Sequence, residues 1–428
     1  MHETSANQST RREFIKSSGA TALASTVSFP SVVSAAPNSE TLRIGLIGCG
    51  GRGTGAAVQA LTADSNAVVT ALGDVFDAQL QKSLAILQKQ HPERVKVGPE
   101  KCFIGFDAYQ KVIENSDVVF CATPPGFRPY HLKAAIEAGR HAFVEITLGV
   151  DAPGVRTALA AAELAQKKNL GILSGFCWRY NHHARAALEQ IRRGVIGEVR
   201  SVYATYYRGD LTTKYHGDRE PGMTDLQWMI RNWHNYTWLS GDVIVLLSGG
   251  HSVDKMSWWL GDVMPVKAVA TGSRVYPAEG NTFDNAFVVY EYASGIRGFL
   301  GCRGQPHCHD DNSDYITGAK GVCTVNARGA VIHGETNWRY TGPMTAMHQN
   351  EQDEFFASLR AGKPINDGTR MAYTTLMAIM GRMAAYTGQE ITWEMALNSQ
   401  ERLTPELLDW NTTIEMPPLA MPGKTKFV

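Results

Sequence analysis

The run Leu42-Arg43-Ile44-Gly45-Leu46-Ile47 passes directly into Gly48-Cys49-Gly50-Gly51-Arg52-Gly53, and this junction constrains the fold more than any other part of the chain. A short, mostly apolar run suits a central strand of a parallel sheet, buried on both faces. Thr54 to Leu61 has helical character, Val68 to Leu72 forms a second strand, and Gly73-Asp74 ends it. Asp74 stands about 20 residues beyond Gly53. Strand, GxGxxG, helix, strand and acid in this order form the fingerprint of a dinucleotide-binding unit. Gly48 permits the tight turn, Gly50 lets the backbone approach a pyrophosphate, and Gly53 lets the helix pack closely on the strand. The helix N-terminus offers N–H donors and a favourable dipole to the phosphates. Asp74 can accept hydrogen bonds from the adenosine ribose hydroxyls and would repel a 2′-phosphate, so NAD is expected rather than NADP.

Further strands continue the pattern. Asp117 to Ala122 leads into Thr123-Pro124-Pro125, with a helix from about Pro129 to Ala138. His141 to Val144 is the next strand and ends in Glu145; a helix over 152–168 and the strand Leu170 to Ser174 follow. Strands alternating with helices at this spacing indicate an α/β fold, with an N-terminal doubly wound parallel sheet that binds ligands at its carboxyl edge. The second half reads differently. Val199 to Tyr206, Val266 to Thr271, Asn285 to Tyr292, Ile296 to Cys302 and Gly321 to Val325 look like longer strands, several alternating as in a sheet with one covered face. Residues 209–224 read as a loop beside a site or interface, and 350–387 as a helical region whose methionines fill a core. The expected divisions are 40–174 for the dinucleotide domain, 175–390 for a substrate and oligomerisation domain, and 391–428 for a tail.

Residues 1–35 read as an address. Thr10-Arg11-Arg12-Glu13-Phe14-Ile15-Lys16 has the pattern of a twin-arginine export signal, followed by a weakly apolar stretch ending at Val33-Ser34-Ala35. The expected destination is the periplasm or another exported location. No run approaches the roughly twenty apolar residues of a membrane helix, so the mature protein is expected not to insert. Lys+Arg and Asp+Glu both number 41, which gives no reason to expect nucleic acid as a partner. The seven cysteines are odd in number and lack a CxxC pair, so they read as small buried side chains.

The glycine loop, the segment Ala122 to His131, the strand end at Glu145, Gly175-Phe176-Cys177-Trp178-Arg179-Tyr180-Asn181 and Gly250-His251-Ser252-Val253-Asp254 together resemble the Gfo/Idh/MocA oxidoreductases. Gly362-Lys363-Pro364 and the segment Met380 to Gly388 extend the resemblance, which covers roughly residues 40 to 410. It implies a Rossmann domain followed by an α/β domain built on a large, mostly antiparallel sheet that often supports a homo-oligomer. It also implies a carbohydrate or cyclitol substrate and a cofactor held by Gly48, Gly50, Gly51, Arg52, Gly53, Asp74, Thr123, Pro124, His131 and Glu145.

The departures from that family lie at its chemical centre. The usual Glu-Lys-Pro is Glu145-Ile146-Thr147, and Ile146 cannot assist proton transfer as the lysine does. Leu247 replaces an acid often found four residues before the family histidine, and Gly126 replaces a histidine that related exported members often carry. Each acid–base group typically contributes on the order of 10²–10⁴-fold. His251 remains as the candidate base, since a neutral imidazole can accept an alcohol proton as hydride leaves. Asp254 falls on the same helical face, and Tyr180, Arg231, Trp233 and Trp238 are candidate sugar contacts. His307 and His309 share one strand face, but no further ligands are singled out, so a solvated loop and no metal are expected. Three readings fit the residues: an NAD-dependent sugar or cyclitol oxidoreductase, an NAD-retaining glycoside-cleaving enzyme that works through transient oxidation, and a non-catalytic NAD- or sugar-binding protein.

Overall fold

Six short strands of apolar sequence form one parallel sheet: β1 (Leu42–Ile47), β2 (Ala67–Asp74), β3 (Cys102–Ile104), β4 (Val118–Cys121), β5 (His141–Val144) and β6 (Ile172–Ser174). The structure, a computed structural model, describes residues 40–209, 218–405 and 408–428, without the side chains of residues 247–249. The expected export signal, part of the 209–224 loop and the Leu247 side chain therefore lie outside the described residues. The spatial order is β3-β2-β1-β4-β5-β6. The order reverses between β1 and β4, so a crevice opens beyond their carboxyl ends, where doubly wound sheets bind ligands. Both central strands are almost wholly buried, which explains why their sequences are continuous rather than alternating.

Helices cross between these strands: α1 (Gly51–Ala63), α2 (Asp77–Gln90), α3 (Ala108–Glu114), α4 (Arg128–Glu137) and α5 (Ala152–Lys167). Past β6, a short 3-10 turn at Cys177–Tyr180 leads into α6 (His182–Arg192) and the second sheet. That sheet has nine strands: β7 (Val199–Tyr207), β8 (Lys267–Ser273), β9 (Asn285–Glu291), β10 (Arg297–Arg303), β11 (Ser313–Gly318), β12 (Gly321–Asn326), β13 (Gly329–Gly334), β14 (Trp338–Arg339) and β15 (Ile391–Thr392). All neighbours are antiparallel except β7 and β10, which run parallel. β9 alternates in burial: Ala286, Val288 and Tyr290 face the core, while Phe287 is 39% exposed. One face is thus covered and the other open.

Between β7 and β8 lie α7 (Asp225–Arg231), the short α8 (Thr237–Ser240), a π-helical turn at Ile244–Ser248 and α9 (Gly249–Trp259). The helical region expected over 350–387 is two helices, α10 (Met347–Arg360) and α11 (Gly368–Thr387). They part at Gly362, whose φ of +66° favours glycine, and at Pro364, which lacks an N–H. α11 is buried almost all round, and Met371, Met377, Met380 and Met383 fill core space as expected.

The last segment, beginning with α12 (Trp393–Asn398), folds back over the molecule. Leu403 N donates to Asp151 Oδ2 at 2.8 Å, and the Trp410 ring packs 4.7 Å from Phe106 and 5.9 Å from Phe76, centroid to centroid. Leu403 and Trp410 are thereby held beside the start of α5 and the segments that follow β2 and β3. All seven cysteines are free thiols; five are buried, and Cys308 is exposed.

Candidate active site

The glycine loop has the geometry that its sequence demands. Gly48 has φ +93°, and a Cβ there would lie 2.7 Å from the Ala122 carbonyl carbon and the Thr123 nitrogen. At Gly53 an added Cβ would meet Gly48 O at 2.2 Å, so α1 packs on the turn at a distance only glycine permits. Gly50 and Gly51 differ: nothing stands within 4 Å of their Cβ positions. An open cradle therefore lies over the start of α1, whose N-cap, Gly50, makes no side-chain cap bond. That leaves first-turn amides for an anion.

Asp74 closes the loop from the end of β2. Its Oδ2 accepts from Cys49 N at 2.7 Å and its Oδ1 from Phe76 N at 2.9 Å. Burial raises its pKa, and the Phe76 and Cys49 amides oppose that rise. Each carboxylate oxygen keeps a second lone pair for a ribose hydroxyl. The cradle, the helix start and this acid fit an adenine dinucleotide.

On the other side of the crevice Arg128 joins two loops, donating from Nε to Thr123 O at 2.6 Å and from Nη1 to Thr147 O at 2.9 Å. Burial lowers its guanidinium pKa to about 10, against the attraction of Glu145. His131 on α4 places Nδ1 3.2 Å from Thr123 Oγ1 and has the Tyr109 and Phe127 rings 4.6 and 6.1 Å away, centroid to centroid. Burial, then the Arg128 charge, pushes its pKa down to about 3. Glu145 is buried with Oε1 2.9 Å from Arg52 Nε, an ion pair by distance without hydrogen-bond alignment.

These elements surround a cleft of about 1460 Å³, larger than the 300–1,000 Å³ typical of small-molecule sites. The expected cofactor residues Gly48, Gly50, Gly51, Arg52, Gly53, Asp74, Thr123, Pro124, His131 and Glu145 all line it. So do His251, Ile146, Arg231 and Trp233. Arg231 Nη1 lies 3.0 Å from Glu220 Oε1, and the Trp233 ring stacks on His234 at 3.9 Å, so this wall offers a charged pair and an aromatic face.

Two expected substrate residues are elsewhere. Asp254 is 1% exposed and accepts from Arg179 Nε at 2.8 and 2.9 Å, with Arg370 Nη1 at 3.3 Å. It neutralises two arginines inside the fold and does not line the cleft. Tyr180 is 5% exposed, packs in the core below the first sheet and has the Arg185 guanidinium over its ring at 5.0 Å. Trp238 is likewise buried, edge-on to Phe127. His307 and His309 lie on an exposed loop between β10 and β11 that does not line the cleft. Among the described residues no three His, Cys, Asp or Glu side chains converge as a metal site.

The departures at the chemical centre acquire steric reasons. A Cβ on Gly126 would stand 2.3 Å from Trp238 O and 2.9 Å from Thr404 Oγ1, so the backbone of α8 occupies the place a histidine would need. Ile146 points at Gly250, where a Cβ would be 2.2 Å from Ile146 Cδ1. His251 follows on α9. Its Nδ1 is buried with no hydrogen-bond partner among the described residues, and burial followed by the nearby charge of His348 pushes its pKa down to about 3. At neutral pH it is an uncharged imidazole, able to accept a proton.

His348 and Glu351 escaped the sequence reading. Both sit at the start of α10, far along the chain from His251, and His348 lines the same cleft. Their three-residue spacing puts them on one helical face, the only signal the sequence carries of this pair.

Residues 184–324 match the family model described as the GFO/IDH/MocA C-terminal domain. A glycosyl hydrolase family 109 protein of Shewanella amazonensis is 30% identical over 175 residues, 40% of this chain and 36% of that relative. The matched stretch thus spans little more than a third of the curated relative's length. A scyllo-inositol dehydrogenase from Lactobacillus casei, solved with NAD(H) and scyllo-inositol, superposes with a TM-score of 0.63 at 18% identity, over 83% of this chain and 100% of that one. The WlbA dehydrogenase of Bordetella pertussis, in complex with NADH and UDP-GlcNAcA, gives 0.63 at 16% identity, over 83% and 98%. The chain has the fold of these dehydrogenases. The parallel sheet and the separate mixed sheet are the two parts expected of it.

Proposed function

We propose that this chain is a Gfo/Idh/MocA oxidoreductase that binds NAD and oxidises a hydroxyl of a sugar, sugar derivative or cyclitol. The observation that carries the reading is the open cradle over Gly50 and Gly51, with Asp74 at the end of the next strand. Bound there, the nicotinamide supplies a hydride acceptor. The chain's residues do the rest. The α1 amides hold the diphosphate, Asp74 takes the adenosine ribose, and Thr123 and Pro124, which line the cleft, flank the cofactor. Arg231 and Trp233, which also line the cleft, serve as contacts for a polyhydroxylated ring, the guanidinium to oxygens and the indole to C–H surfaces. His251, neutral and without a partner at Nδ1 among the described residues, takes the hydroxyl proton.

A second reading, cleavage of a glycoside through transient oxidation with NAD retained, is favoured by Ile146. An apolar side chain stands where ordinary alcohol oxidation has a lysine, and a relative is named a glycosyl hydrolase family 109 protein. Export by the twin-arginine route and assembly into a homo-oligomer belong to the same proposal. The open face of the nine-stranded sheet, with Phe287 39% and Val269 45% exposed, supports the latter.

The test begins with mass spectrometry of the ligand released on denaturing the purified protein. Sugars and glycosides are then offered to the loaded protein. Net NADH release supports the first reading, and glycoside cleavage without it supports the second. Protein that neither carries nor binds NAD sinks both.

A further inference from the structure

The cleft holds a second imidazole whose surroundings differ from those of His251. His348 opens α10 with its side chain 35% exposed, and its Nδ1 lies 3.4 Å from Glu351 Oε1. Glu351 is fully buried, and its Oε2 has no hydrogen-bond partner among the described residues. An imidazole held at one nitrogen by a carboxyl group has a fixed tautomer and a fixed ring orientation, the arrangement that makes a histidine an effective proton-transfer group. Among the described residues His251 has no such partner at Nδ1.

We infer that His348 is a second proton-transfer residue of this cleft, exchanging a proton through Nε2 with the reacting oxygen of the bound sugar, and that Glu351 is its positioning residue. The inference rests on the oxidoreductase reading above. It assigns to α10 the proton chemistry that Ile146 cannot perform.

The electrostatics set the resting state. Burial, reinforced by Glu145, raises the Glu351 pKa well above the usual carboxylate range. Burial and the Arg52 charge push His348 down to about 4. In the proposed relay the pair rests uncharged, with a carboxylic acid donating to Nδ1 and the ring hydrogen on Nε2. As negative charge develops on a substrate oxygen, the Nε2–H bond breaks and an O–H bond forms. Nδ1 then takes the Glu351 proton, and the carboxylate left behind lies in the field of Arg52. One proton leaves the pair, and the imidazole ends neutral with its hydrogen on Nδ1. In the oxidation direction the step starts from the pair that has given up one proton, with hydrogen on Nδ1 and Glu351 ionised: the hydroxyl proton taken by His251 passes to Nε2, and Nδ1 returns its own to the carboxylate.

Two measurements on NAD-loaded protein test this. Side-chain ¹⁵N NMR of histidine-labelled protein at pH 7 reads the His348 tautomer without any substrate. The expected result is hydrogen on Nε2 in the wild type and in E351Q, since the Gln amide can also donate to Nδ1. Turnover is then followed with scyllo-inositol, free hexoses and p-nitrophenyl glycosides. In E351Q and H348Q, kcat should fall about 100-fold or more with KM little changed. A glutamine of the same shape would preserve a merely structural role, so loss of kcat in E351Q with the tautomer intact supports the relay. Hydrogen on Nδ1 in the wild type overturns it, as does an H348Q protein with wild-type kcat. A wild type that turns over nothing overturns the oxidoreductase reading and the relay together, whereas active wild type with equally active H348Q overturns the relay alone.

Discussion

Ile146 presses its Cδ1 so close to Gly250 that a Cβ on that glycine would stand only 2.2 Å away. The contact places an aliphatic plug against the residue that precedes the candidate base His251. It makes residues 146 and 250 a steric unit, although they belong to different layers of the fold.

The unit can be measured by a double-mutant cycle. Gly250→Ala alone should destabilise through overpacking by about 1–3 kcal/mol, partly offset by alanine's better helix propensity. In an Ile146→Ala background the same change should cost at least about 1 kcal/mol less. Urea unfolding of the four proteins supplies the comparison, and additive effects would remove the contact from consideration.

Asp74 accepts from the Cys49 amide, and the proposed function gives it a second duty, to a ribose. Asp74→Ala removes both and should weaken NAD binding by about 10- to 100-fold, the equivalent of about 1.5–3 kcal/mol for bonds to a charged acceptor. Calorimetry on ligand-free protein gives the answer. Unchanged affinity would contradict the ribose assignment.

Acid should destabilise the fold through His131. Its pKa in the folded chain is about 3 because it is buried, against about 6.5 in the unfolded chain. A lowered folded value means that the stabilising contribution is complete above about pH 6.5 and is lost as pH falls towards 3. Between pH 7 and pH 5 the loss attributable to this residue is about 2 kcal/mol. His131→Gln should flatten the stability profile in that window by a similar amount. An equally steep profile in the variant would refute the assignment.

Gly126 should tolerate no side chain. A Cβ would meet Trp238 O at 2.3 Å, and a backbone carbonyl cannot swing aside as a side-chain tip can. Gly126→Ala should therefore cost about 1–3 kcal/mol, and Gly126→His more. Thermal unfolding measures this, and a fully stable histidine variant would show that α8 moves freely.

The tail contact is open to the same approach. Trp410→Ala removes two ring contacts to Phe76 and Phe106, each worth about 0.5–1.5 kcal/mol. Limited proteolysis should then cut residues 403–428 sooner than in the wild type. Identical cleavage rates would mean that Trp410 does not hold the segment.

The glycine cradle was legible in the chain because its causes are local. A turn that needs φ near +93° at Gly48 and a helix that approaches Gly48 O at Gly53 demand glycines at set spacings, and a buried parallel strand demands an unbroken apolar run. The first sheet, Asp74 and the main strands of the second sheet follow from such short-range requirements. Tertiary structure decided what depends on partners far apart in the chain. Asp254 and Tyr180 carried the composition of a binding site, yet pairing with Arg179 and Arg370 drew one inward, and packing in the core drew the other. His348 carried no motif, yet α10 brings it into the cleft with His251. Helical and strand periodicities record which face of an element is buried, but they do not record which element will cover it. That choice is made by shape and charge complementarity between distant segments.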